Sequence, residues 1–239
     1  MNAPAAANQR GPTPSVALLA VLRSTLAKDL RLEWRSKDAI NAMLFFALLV
    51  VVIFSFAFDL TSDEARQITG GLVWVAFLFS TTMAVNQSWA RELRNQVLDS
   101  FRLAPAPPNA LFLGKALANF IFVTILEAIV APLFIIFFNL HMLGQPWQLV
   151  WIFLLSTWAL VVNGAFFAAV SLRTRSRELM LPLLLFPIVI PALLAMVGAT
   201  TAVLTGENDP WLGIKFLAVY DIVFTMLSLL LFESVLNAE

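Results

Sequence analysis

The chain has 239 residues, 60% of them hydrophobic and only 13% charged, with zero formal net charge and a mean hydropathy of +0.86. A soluble domain carries about 25% charged residues, so this composition excludes an ordinary soluble globule and points to a chain that lives in lipid. The lack of cysteine excludes disulfides, thiolate metal sites and cysteine nucleophiles, and the single histidine, His141, excludes a multi-histidine metal centre within one chain.

Residues 1–14 are rich in Ala, Pro and Asn and are expected to be disordered. No short apolar core with a small-residue cleavage site follows them, so they do not read as a signal peptide. Residues 15–38 read as an amphipathic helix. Val16, Leu19, Leu22, Leu26, Leu30 and Trp34 form one apolar arc, and Lys28, Arg31 and Arg35 cluster on the opposite face. Such a helix lies in the membrane interface, its basic face toward lipid phosphates or a cytoplasmic partner. The plainer alternative is a lipid-surface anchor with no specific partner.

Six apolar stretches follow, at about 39–58, 71–90, 116–138, 147–172, 179–204 and 212–232. Each reaches the roughly 17–25 residues that carry a helix across a hydrocarbon core of about 30 Å. Backbone groups have no water partners there, which demands helices. The expected fold is therefore all-α: a polytopic membrane protein with about six transmembrane helices over 39–232, an interfacial helix before them and a short tail, 233–239, after them. The fifth stretch carries Pro182, Pro187 and Pro191; it is either one kinked helix or a re-entrant pair of half-helices.

The loop 91–115 is the most informative connection. Its first part, 91–102, reads as a short helix with Leu93, Val97 and Phe101 on one face, bearing Arg91, Arg94 and Arg102 as its positive charges. The proline-rich run 104–109 stops it. A short amphipathic helix between two spans has the shape of a coupling helix, which docks in a groove of a separate ATPase subunit. An interfacial helix without such a partner gives the same pattern. Basic residues fix the expected orientation: thirteen of the fifteen fall in the N-terminal segment, in 91–115 and in the fourth connection (Arg173, Arg175, Arg177), leaving Arg66 and Lys215 for the other side. The rich side is cytoplasmic by the positive-inside rule, and an even number of spans returns the C-terminus to it. Trp74, Trp89, Trp147 and Trp211 lie near predicted span ends, where aromatic belts belong.

Two acids fall inside spans, Glu127 in the third and Asp221 in the sixth. An ionisable group there costs at least ~2.5 kcal/mol, so each either lines a substrate path or gate or is a hydrogen-bonded packing contact. Asn86, Gln87, Asn119 and Asn163 are candidate interhelical partners. His141, just past the third span, is a candidate haem-iron ligand or simply a loop histidine. Gly114-Lys115 is followed by Ala116, and Asn109 stands where a phosphate loop needs its first glycine. If ATP is used, another polypeptide binds it. No catalytic, metal or cofactor-binding residue and no nucleic-acid site is assigned.

Several stretches carry a likeness to a known family: Lys28-Asp29-Leu30-Arg31-Leu32-Glu33-Trp34-Arg35, Gly71-Leu72-Val73-Trp74-Val75-Ala76-Phe77, and Leu103-Ala104-Pro105 followed by Leu113-Gly114-Lys115-Ala116. They resemble the haem exporter protein B family, the permease subunit of the cytochrome c maturation ABC transporter, and the likeness covers nearly the whole chain beyond Pro14. The resemblance implies an ABC-2-like exporter permease in a bacterial inner membrane that is not itself an enzyme. It implies partners too: an ABC ATPase subunit holding ATP, a haem-handling membrane subunit, and a homodimeric or hetero-oligomeric assembly with haem as cargo of the complex. The competing readings are a permease for a drug, lipid or polysaccharide, an intramembrane enzyme using Glu127, and a membrane scaffold.

Overall fold

The computed structural model describes residues 14–35, 37–57, 63–95, 107–138, 143–172, 174 and 176–237. Every regular element among them is helical. In chain order these are α1 (Pro14–Arg35), α2 (Lys37–Ala57), α3 (Asp63–Arg94), α4 (Pro108–Phe137), α5 (Pro146–Ser171), α6 (Arg177–Thr205) and α7 (Trp211–Asn237). Five of them, α3 to α7, are long and apolar enough to cross a membrane. The predicted first span is α2, whose 21 residues reach about 31 Å at 1.5 Å per residue, although its described apolar run is only Leu44–Ala57.

Local chemistry sets the helix boundaries. Pro108 and Pro146 stand in the first turns of α4 and α5, where the missing N–H is no loss. Gly206 ends α6 in the left-handed conformation (φ +71°), the geometry a helix stop favours and a side chain resists. Asp209 accepts the Trp211 backbone N–H at 3.0 Å and so caps the start of α7. The run holding Pro182, Pro187 and Pro191 is one continuous helix, α6, rather than two halves.

The outside of the bundle is apolar: Phe45, Ile53 and Phe56 on α2 and Val219, Ile222, Met226 and Leu230 on α7 are exposed. On a soluble protein such a surface would aggregate; here it is the lipid face of a multi-pass membrane protein. The interior has the complementary character, burying Ser80, Thr81, Ser88, Asn119, Ser156, Thr157 and Asn163 among the apolar side chains. Lipid gives helices no hydrophobic reason to associate, so packing and interhelical hydrogen bonds carry the assembly. α3 lies inside it, against α2, α4, α5 and α6, while α5 meets α3, α4, α6 and α7.

Three expectations need correction. The third span starts at Pro108, eight residues before the apolar stretch, so Lys115 is not in a loop but inside α4 and fully buried. Hydropathy cut the helix at the lysine because it scores a charge without seeing its partners. α3 likewise runs unbroken to Arg94, so Arg91–Arg94 is the last turn of a span and not the start of a separate helix. Of the four tryptophans assigned to aromatic belts, only Trp147 and Trp211 are exposed, their rings tilted against each other with centres 5.5 Å apart. Trp74 and Trp89 are buried, Trp74 because its indole N–H donates to Thr200 Oγ1 on α6 at 2.8 Å.

Candidate functional site

The densest polar chemistry lies where α1, the end of α3 and the start of α4 meet. Thr25, Asp29 and Glu33 follow one another at helical i, i+4 spacing on α1, and all three are buried. Thr25 and Asp29 face α4, along which α1 packs much more extensively than along its chain neighbour α2, and Glu33 faces the end of α3. Gly114 allows this approach: a Cβ there would stand 2.8 Å from Thr25 Cβ and 3.2 Å from the Leu22 carbonyl oxygen.

One residue further, Lys115 is 0% exposed and donates to Asp29 Oδ2 at 2.8 Å and to Glu92 Oε1 at 2.9 Å. Its ammonium also lies 5.2 Å from the centre of the Trp89 ring, a cation–π distance. Lys28 donates to the same Glu92 oxygen at 2.6 Å and lies 3.3 Å from Asp29. Arg91 pairs with Glu33. Three cations from three helices thus meet three carboxylates. Lys28 is shifted by this setting. Burial by itself lowers its pKa, but the Glu92 hydrogen bond and the charges of Asp29 and Glu92 outweigh that and hold it above the ordinary lysine value. The stabilisation from a raised ammonium is complete below about pH 10.4 and is lost only as pH climbs through the raised value, so Lys28 stays charged at neutral pH.

The predicted interfacial helix is therefore α1, with a different face inward. Leu19 and Trp34, from the apolar arc, are exposed, as are Arg31 and Arg35, while the acids turn in. Lys28 does not join Arg31 and Arg35 on an outer basic face, because Glu92 and Asp29 draw it into the network. Of the coupling segment, Arg91 is tied to α1 through Glu33, and Leu93 and Arg94 are exposed at the tip of α3. Val97, Phe101 and Arg102 lie outside the described residues, as does His141. Asp29, Glu33, Glu92 and Lys115 were not singled out as site residues, although a trace exists in the sequence: two acids four apart in an otherwise basic segment.

Both intramembrane acids are buried. Glu127 on α4 is 3% exposed and its Oε2 accepts a hydrogen bond from the Thr157 hydroxyl of α5, which also lies 2.7 Å from the Phe153 carbonyl. Asp221 on α7 is 6% exposed, and neither of its oxygens has a hydrogen-bond partner among the described residues. No hydrogen bond joins the two acids. Among the described residues no cluster of His, Cys, Asp and Glu could hold a metal ion.

With this geometry in hand, comparison with known proteins identifies relatives. The family model described as CcmB protein matches residues 20–237. The chain is 32% identical over 197 residues to Heme exporter protein B of Paracoccus denitrificans (strain Pd 1222), covering 82% of this chain and 89% of that one. It is 31% identical over 186 residues to Heme exporter protein B of Pseudomonas aeruginosa, covering 76% and 81%, and 31% identical over 173 residues to that of Rhodobacter capsulatus, covering 72% and 79%.

Proposed function

This chain belongs to the CcmB protein family, and on that premise we propose that it is the membrane permease subunit of an ABC-type exporter linked to haem handling in cytochrome c maturation. The observation that carries the pathway is the likeness to proteins named Heme exporter protein B over most of both chains. A separate ATPase subunit hydrolyses ATP, and haem is cargo of the complex. The protein sits in a bacterial inner membrane with both termini in the cytoplasm. That orientation rests on the basic residues: Arg23, Lys28, Arg31, Arg35, Arg91, Arg94 and Lys115 all belong to α1 or to the adjoining ends of α3 and α4.

The buried ion network supports a mechanism for coupling. Leu93 and Arg94 form an exposed tip on α3, available to a groove of the ATPase. Arg91 and Glu92, in the same turn, are bonded to α1, and Glu92 also to Lys115 of α4. A push on the tip moves three helices together instead of bending one, and the two spans that leave this end, α3 and α4, tilt with it. Such a push shifts the bundle only if it has two packing arrangements that the ATPase distinguishes.

Affinity purification of the tagged protein from native membranes in mild detergent is expected to recover a phosphate-loop ATPase together with haem-maturation proteins. Deletion is expected to abolish c-type cytochromes. Leu93→Glu should lower ATPase recovery about tenfold, a loss of about 1.4 kcal/mol, with membrane insertion unchanged. Normal c-type cytochromes in the deletion strain overturn the pathway; undiminished ATPase recovery by the Leu93 variant overturns the docking tip.

A further inference from the structure

Away from the ion network, a cavity of about 360 Å³ opens between α3, α4, α5 and α6, lined by Val73, Glu127, Ala131, Phe134, Phe153 and Thr200 among others. Its size falls in the range of small-molecule sites. Nearly all of its wall is hydrocarbon, and no lysine or arginine lines it. Glu127 is the one acid in that wall. Its Oε2 is held by Thr157, while Oε1, equally shielded from solvent, has no hydrogen-bond partner among the described residues. Thr124 Oγ1, on the turn before, is also without one, and Thr124 lines the same cavity.

An unpaired carboxylate oxygen in such surroundings is costly unless the group takes up a proton or something brings it a positive charge or a hydrogen-bond donor. The half-buried ring of Phe153 adds to the case, since aromatic rings attract cations and do so more strongly where water is excluded. A carboxyl, a phenyl ring and a wall that is hydrocarbon apart from the Thr124 and Thr200 hydroxyls match an apolar body bearing a single positive charge. We propose that this cavity is a binding site for amphipathic monocations, with Glu127 as the charge partner and Ala131, Phe134 and Phe153 shaping the apolar part. The site is separate from the proposed haem cargo, whose two propionates carry the opposite sign. It occupies the intramembrane half of α4, whereas the coupling network occupies the first turns of the same helix. A ligand here therefore presses on a helix that the ATPase is proposed to move.

Binding of radiolabelled tetraphenylphosphonium to the purified full-length protein in mild detergent tests this by equilibrium dialysis. Saturable binding is expected, weakened at least tenfold in Glu127→Gln, which removes the charge, and in Ala131→Phe, which fills the cavity and keeps the carboxyl. Glu233→Gln, an exposed acid on α7, should bind as wild type does. Tetraphenylborate, of the same shape and opposite charge, should not compete, and that comparison needs no variant. Competition by tetraphenylborate, or undiminished binding by Glu127→Gln, overturns the cation site in favour of an apolar cavity that takes an acyl chain. Undiminished binding by Ala131→Phe overturns it by placing the cation elsewhere, and the absence of saturable binding overturns it outright. Loss of c-type cytochrome function plays no part in this readout, so the site stands or falls independently of the proposed pathway.

Discussion

Lys115→Met is expected to destabilise the protein by about 3–5 kcal/mol, the range for removing one partner of a buried ion pair. The lysine is fully buried and holds Asp29 and Glu92 at 2.8 and 2.9 Å. Methionine keeps most of the volume and the apolar stem, so packing loss contributes little. What remains is two buried carboxylates with Lys28 as their only close ammonium among the described residues. The check is the unfolding midpoint in mixed micelles, read by tryptophan fluorescence. Adding Asp29→Asn to the variant should recover part of the loss, because the uncompensated charge and not the missing methylene chain dominates. A single variant as stable as wild type would mean that the lysine is not held in this network.

The second large effect is steric. Gly114→Val is expected to push α1 off α4, since the first added carbon already meets Thr25 Cβ at 2.8 Å and the Leu22 carbonyl oxygen at 3.2 Å. Backbone on one side and a β-branched side chain on the other leave no rotamer that relieves the clash. Overpacking of this kind costs about 1–3 kcal/mol. Here the cost falls on one interface, and displacing α1 also separates Asp29 and Glu33 from Lys115 and Arg91. Trypsin cleavage at the exposed Arg23, Arg31 and Arg35 should quicken several-fold, with the α3–α7 bundle still intact. Formation of c-type cytochromes should fall in parallel if α1 helps carry the ATPase stroke. Unchanged cleavage would show that α1 is not docked against Gly114.

The two predictions join at one pair of neighbours, Gly114 and Lys115, which the sequence offers as a failed phosphate loop, a loop charge and part of a family likeness. Their meaning is structural: the glycine admits a helix and the lysine binds it. Glu127 and Asp221 were easier to find, because an acid inside an apolar run stands out whatever surrounds it, and both prove to be buried in the bundle. What separates them was not readable. Thr157, the partner of Glu127, is 30 residues away on another helix, and no feature near Asp221 announces that its oxygens lack one among the described residues.

Hydropathy is a sum over neighbours in the chain, and so the sequence by itself determined the helical class, the membrane setting, the approximate place of each span and the presence of a helix before them. The uneven distribution of lysine and arginine set the expected orientation in the same local way. Tertiary structure decided what depends on residues distant in the chain. It turned the acidic stripe of α1 inward, drew Lys115 into α4, and set Trp74 beside Thr200, 126 positions away, instead of at the membrane surface. The physical reason is that a buried charge is stabilised by partners that only folding brings to it, and Lys115 finds Asp29 across 86 residues and Glu92 across 23.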